Sequence, residues 1–261
     1  MKRTYVKLLT VAGLTGCFLF TSCRSAQETT ARYEISKVEG NMITIDSTWD
    51  ANPDKKATTV LKPYKDKVDA MMYEVIGTSE TKMDKGTPES LLSNLVASVL
   101  QEAAAQVLGK PADMGLVNMG GLRNILPKGD ITVGAVFEIL PFENSLCVLT
   151  MKGTDMKRLF KAIASLHGEG VSGIRLEINK KGELLNATIG GKPVVNDQLY
   201  TVPTIDYLAD GNGRMDAFLQ AEKRECPEDA TLRGLFLDYV RKQTAEGKII
   251  TSKLDGRITV K

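Results

Sequence analysis

The chain has 261 residues, 43% hydrophobic and 25% charged, a globular composition that excludes a disordered polymer. Its 34 basic residues stand against 32 acidic ones, and three of the basic ones (Lys2, Arg3, Lys7) precede an apolar run. Without those three the balance is 31 against 32, a net of −1, which leaves no cationic surplus to neutralise a nucleic-acid polymer.

Residues 1–22 read as a signal peptide: a basic start, then Leu8 to Phe20, an apolar run too short to span a bilayer comfortably. Export is the expectation. Two cysteines sit where a bacterial lipoprotein signal places its lipidated one. Leu14-Thr15-Gly16-Cys17 fits the L-x-G-C pattern, while Cys23 is followed by polar Arg24-Ser25-Ala26-Gln27-Glu28. Cleavage before Cys17 would leave Phe18-Leu19-Phe20 exposed, so Cys23 is taken as the lipidation site, with 23–32 as tether and 33–261 as one domain. A plain secretory signal with incidental cysteines is the competing reading.

Tyr33 to Asp46 alternates apolar and polar residues about Glu39-Gly40-Asn41, which predicts a β-hairpin. Val60, Tyr64, Val68, Met71 and Met72 recur at helical spacing; they predict a helix with its methionines in the core and Pro63 in its first turn. Thr87-Pro88-Glu89 opens the strongest helix, with Leu91, Leu92, Leu95, Val96, Val99 and Ala103 on the face that packs on the sheet and Gly109 and Pro111 closing it.

The stretch Asp113 to Phe142 organises the rest. Met114 to Val117 predicts a short buried strand. Asn118, Gly120 and Gly121 are residue types that tolerate positive φ and let backbone N–H groups approach a ligand. Arg123 brings a five-donor fork suited to phosphate or ribose oxygens. Pro127 and Gly129 mark a turn, Ile131 to Ile139 a short helix, and Leu140-Pro141-Phe142 an aromatic on a bend.

Ser145 to Lys152 then predicts a strand, and Gly153-Thr154 caps a helix through Ala164. Ile174 to Ile178 and Leu184 to Ile189 form a hairpin about Lys180-Lys181-Gly182. Leu199 to Ile205 is a strand that runs into Asp206-Tyr207-Leu208-Ala209-Asp210-Gly211-Asn212-Gly213, a loop with the composition of a binding turn. Thr231 to Gln243 predicts a helix and Arg257 to Val260 a strand. Cys147 reads as a small core residue; a pairing with Cys226 is the alternative, but nothing in the sequence brings the two together, and no disulfide framework is expected.

Asn118-x-Gly120-Gly121-Leu122-Arg123, then Gly129-x-Ile131-Thr132, then Leu140-Pro141-Phe142 together resemble the C-terminal, substrate-binding domain of bacterial and animal 5′-nucleotidases and UDP-sugar hydrolases. Glu89, Ser90, Asn94 and Leu95 match that family's E-S-x-x-x-N-L helix. The resemblance implies that Phe142 and Tyr207 stack on the two faces of a base while Asn118 and Arg123 hold polar edges, on a turn shaped by Gly120 and Gly121. Two positions depart from it. The family's late loop reads approximately [FY]-x-A-x-G-G-D-G, and here Gly213 stands at the aspartate, leaving either Asp210 or Asp216 for the ribose hydroxyls or a ligand that is not a ribonucleotide. Pro88 stands where an arginine often reaches the ligand, with only Lys82 and Lys85 nearby.

Full-length members of that family hydrolyse phosphate with an N-terminal metallophosphoesterase domain whose two metals are held by several histidines, aspartates and an asparagine. This sequence has one histidine, His167, beside Gly168 at a helix end, where it reads as a solvated residue. It has no D-x-H, no paired histidines, no G-x-S-x-G elbow and no Walker or dinucleotide glycine pattern. No catalytic residue, metal ligand or cofactor is therefore expected. The expected fold is α+β, with mixed, largely antiparallel sheets flanked by helices. The expected role is recognition of a nucleotide or nucleoside-like small molecule by an exported, lipid-anchored, periplasmic or surface-facing chain, working with a separately encoded metallophosphoesterase. A scaffold that has lost nucleotide recognition and an autonomous enzyme of other chemistry are the competing readings.

Overall fold

The computed structural model describes residues 34–261, in two units divided after Pro53. The leader, the tether, Cys17 and Cys23 lie outside the described residues. In the described part of the first unit, 34–46 is extended coil rather than the expected hairpin, and Tyr33 lies outside it. Ile35, Val38, Met42, Ile43 and Ile45 are all exposed, so the alternation meets no surface to bury it, and a lone two-stranded ribbon is marginal in water. Only a 3₁₀ turn, Ser47–Ala51, forms, with Asp46 accepting from the Thr48 amide.

The second unit opens with α1 (Lys55–Met72), capped by the Asp54 carboxylate on the Ala57 amide. Its apolar repeat is the expected one, but none of its residues is buried; Met72 alone packs partly against the core, and Met71 is exposed. Pro63 lies well inside the helix, on its exposed surface, where water can satisfy the carbonyl that the ring leaves unpaired. Strand β1 (Val75–Ser79) follows and pairs antiparallel with β3 (Gly129–Thr132).

The core forms around α2 (Leu91–Leu108). Ser90 caps it, one residue past the Thr87-Pro88-Glu89 start that the sequence suggests, and Gly109 ends it in the left-handed region at φ 65°, as the sequence predicts. Leu92, Leu95, Val96, Val99 and Leu100 are buried on it. Although α2 is apolar and long enough to cross a membrane, half of that stretch is inside the domain. Strand β2 (Gly115–Val117) pairs antiparallel with β5 (Gly170–Ser172) and lies against α2. Helix α3 (Val133–Ile139) follows β3.

The longest ladder joins β4 (Leu146–Lys152) antiparallel to β9 (Leu199–Ile205), from Leu146↔Ile205 to Lys152↔Leu199. Helix α4 (Gly153–Ser165) connects β4 to the β5 region. A hairpin of β6 (Ile174–Ile178) and β7 (Leu184–Ile189) is extended by β8 (Lys192–Pro193). After β9 come the four-residue helix α5 (Asp206–Ala209), β10 (Lys223–Glu225), α6 (Leu232–Ala245) and β11 (Ile258–Val260). β10 pairs antiparallel on the free edge of β4, whereas β11 is parallel to β6. The stretch before β11 is laced to α2: Asn94 Nδ2 donates to Lys253 O, Ser252 Oγ to Leu91 O, and Arg257 Nη1 to the carbonyls of Asn94 and Val171.

One expectation is overturned here. Cys147 and Cys226 form a disulfide across 79 positions. The cause is register: β10 places Glu225 opposite Val148, so the next residue, Cys226, arrives beside Cys147 with 4.2 Å between their Cα atoms. The α+β class is as expected: small, mostly antiparallel sheets with helices around them.

Candidate functional site

Buried β2 delivers Asn118 to the surface, where Met119–Gly121 makes one 3₁₀ turn. The two glycines are not needed for positive φ, which neither adopts. Gly121 instead leaves room for the Asn118 side chain: a Cβ there would lie 3.0 Å from the Asn118 Oδ1 and crowd it. The Asn118 side chain makes no cap to the turn, so its amide is available. Three groups fix the turn from outside the cavity. Lys85 Nζ donates to the Leu122 carbonyl, Arg123 N to Ile139 O at 2.9 Å, and the Met119 amide to the Glu169 carboxylate. Glu169 is buried, and burial pushes its carboxyl up to about 7 against the opposing effect of the Met119 N–H.

Phe142 sits on the bend that ends α3. That bend is wrapped around Arg233, a buried arginine from α6. Arg233 donates through Nη1 to the Leu140 carbonyl at 3.1 Å and through Nη2 to Glu143, and its guanidinium lies 4.1 Å from the centre of the Phe137 ring. Outside the bend, the Arg123 guanidinium lies over Phe142, 5.9 Å from the ring centre.

Tyr207 is carried by α5, directly after β9. Its amide donates to Asp206 Oδ1, and Leu208 beside it is buried. Gly213 closes the loop at φ +66°, and a Cβ there would meet Leu208 at 3.1 Å and Tyr207 at 3.8 Å. The aspartate that the resemblance expects at this position is thus replaced where the backbone is left-handed and the ring is close.

These walls enclose a cavity of about 320 Å³ lined by Asn118, Gly120, Gly121, Arg123, Phe142, Asn144 and Tyr207. That is within the usual size of small-molecule sites. Six of the seven candidate binding residues line it. Asp210 does not: it accepts from Arg224 Nη1 at 2.6 Å. Asp216 begins a separate 3₁₀ turn and is not among the lining residues either. The sequence reading passed over Asn144, whose signal was a polar residue two places after Phe142, and it left Lys85, Glu169 and Arg233 without a role. Phe142 and Tyr207 stay 47% and 45% exposed, so flat apolar surface faces the opening. Flat rings, side-chain amides and one guanidinium suit a heteroaromatic ring that carries polar or anionic substituents. Two other depressions, of about 510 and 350 Å³, lie near Gln101 and Gly173 but gather no comparable aromatic pair. His167 is exposed beside Gly168, and among the described residues no three metal-binding side chains converge.

A family model described as "5′-nucleotidase, C-terminal domain" matches residues 75–220. An endonuclease of Bacillus subtilis is 28% identical over 69% of this chain and 15% of its own length. A cell wall protein of Listeria monocytogenes is 27% identical over 81% of this chain and 30% of its own. The crystal structure of a 5′-nucleotidase precursor from Thermus thermophilus superposes with a TM-score of 0.67 at 26% identity, covering 81% of this chain and 44% of that one. The chain thus spans less than half the length of these relatives.

Proposed function

The chain belongs to the 5′-nucleotidase C-terminal domain family, matched over more than half its length, and from that premise we propose that it is the nucleotide- or nucleoside-binding half of a 5′-nucleotidase or UDP-sugar hydrolase system. The hydrolytic chemistry falls to a separately encoded metallophosphoesterase chain. Export and a lipid anchor at Cys23 complete the reading, placing the chain in the periplasm or facing outward from the envelope.

One observation carries it: six residues chosen from the sequence converge on one cavity of about 320 Å³. In the proposed complex the base lies against Phe142 and Tyr207, Asn118 and Asn144 meet its polar edges, and Arg123 meets phosphate. Asp210 is engaged by Arg224 and Gly213 has no side chain, so the ribose hydroxyls gain no carboxylate partner. Weak ribose discrimination follows, with dissociation constants no tighter than roughly micromolar.

Titration calorimetry of the purified chain with adenosine, AMP, UDP-glucose and a deoxynucleoside tests the binding role. Heat with at least one of them, with an affinity about ten-fold lower in Phe142→Ala, is the expected result. No heat at millimolar ligand from a folded chain would sink this reading and leave a lipid-anchored scaffold. Pull-down of the tagged protein from its native envelope tests the partner, which is expected to be a metallophosphoesterase.

A further inference from the structure

The cavity leaves unexplained the most exposed apolar surface of the second unit, the outer face of α1. Val60, Leu61, Tyr64, Val68 and Met71 are each more than half exposed. With about 100° between successive residues, they fall within about a third of the helix circumference. Lys56 and Lys67 edge that arc on one side and Lys65 on the other, while Asp66 and Asp69 lie beyond it. The helix has five lysines against two aspartates, an excess of three positive charges. Asp66 and Asp69 are taken by Lys62 and Lys65, and Lys55, Lys56 and Lys67 have no acidic partner among the described residues.

The C-terminal end of α1 is fixed to the domain: Met72, about 20° round the helix from Leu61, packs against the core, and just beyond the helix Glu74 O accepts the Val133 amide at 3.0 Å. The five apolar side chains before it remain exposed.

We infer that this face of α1 seats the protein on an anionic lipid surface, lying in the plane of the headgroups. Lysines bordering an apolar arc can extend their methylene stems along it and place their ammonium groups among lipid phosphates. Tyr64, with an apolar ring and a polar tip, is the aromatic type that favours the headgroup level. The arc offers aliphatic side chains and one tyrosine, enough for shallow insertion. The complementarity is of charge sign: a cationic border to an apolar strip fits anionic headgroups over acyl chains. The inference goes beyond the acyl anchor proposed above, and its test leaves that anchor out, so the two fail separately.

The test is sedimentation of the unacylated chain, expressed from residue 24, with vesicles of about one-third phosphatidylglycerol in phosphatidylcholine or of phosphatidylcholine alone. Among the described residues the buried core begins at Ile76, and all of these are kept. Binding to the anionic vesicles is expected to exceed binding to the neutral ones by about ten-fold. The double variants Val60→Asp with Val68→Asp, and Lys56→Glu with Lys67→Glu, should each lower it by about ten-fold with unchanged circular dichroism and unfolding midpoint. Absence of binding by the wild type, or undiminished binding by the valine variant, overturns the inference. If the wild type ignores vesicles and the valine variant instead loses self-association or a co-purifying metallophosphoesterase, the face belongs to a protein partner and the inference is equally overturned.

Discussion

Phe142 and Tyr207 border the same cavity, yet the chain secures them by different means. The Phe142 bend is held from inside, by a buried guanidinium that satisfies the Leu140 carbonyl and Glu143 and covers Phe137. The Tyr207 helix is held from its far side: Asp210, just past its end, meets Arg224 on β10, and β10 is tied to β4 by the Cys147–Cys226 disulfide. One side depends on packing and the other on a covalent closure plus a surface ion pair. Changes in redox state should therefore loosen one side of the cavity and spare the other.

Reducing the disulfide, or making Cys226→Ser, should have the largest effect. Opening a loop of 79 residues costs about 4 kcal/mol by chain entropy, read as a lower guanidinium midpoint with and without reductant. Hydrogen exchange should then rise around Tyr207 and stay unchanged around Phe142; an equal rise on both sides would erase the contrast. Arg233→Ala should cost about 3 kcal/mol, because it orphans a buried carbonyl and strips Phe137 of its cover, and it should loosen the Phe142 side. Glu169→Gln tests what holds the turn between them. The Glu169 carboxyl titrates above its ordinary value, so the native state retains a proton that the unfolded chain has lost between about pH 4.5 and 7, and stability falls as pH rises through that window. The glutamine keeps an acceptor for the Met119 amide without the buried charge. It should raise stability at pH 8 by about 2 kcal/mol and flatten the pH dependence. Phe142→Ala should weaken nucleoside binding about ten-fold, the worth of one base–aromatic contact, while Arg123→Ala should weaken AMP more than adenosine. Arg224→Gln should be mildest, about 0.5 kcal/mol or less in stability, since its pair with Asp210 is solvent-exposed.

What could be read from the sequence was local. The Gly109 stop and the apolar face before it specify the body of α2 without reference to anything distant, although Ser90 rather than Thr87-Pro88-Glu89 opens it. The β6–β7 hairpin announced itself by alternation about a turn, and Asn118 through Phe142 by residue types at short spacing. The failures each needed a distant partner. Residues 34–46 alternate as a hairpin does, but alternation makes a strand only where another surface covers it. Cys226 looks unattached until β10 is paired on β4, and Asp210 looks free for a ligand until that same strand brings Arg224 to it. Glu169 stands between two glycines with nothing local to mark it, and only the packing of β5 on β2 and α2 buries it.

The stitching of α2 to residues 252–258 has a consequence for biosynthesis. The helix is made early, but the carbonyls of Leu91 and Asn94 and the Asn94 amide find their partners about 160 positions later, at Ser252, Arg257 and Lys253. A growing polypeptide therefore has β2 at hand to cover α2 but lacks these ties to its first turn until nearly all of the domain has emerged from the ribosome. Closure is forced to be late. Under the export proposed above, a domain whose last ties form only when the chain is nearly complete would stay threadable through a channel that passes unfolded polypeptide.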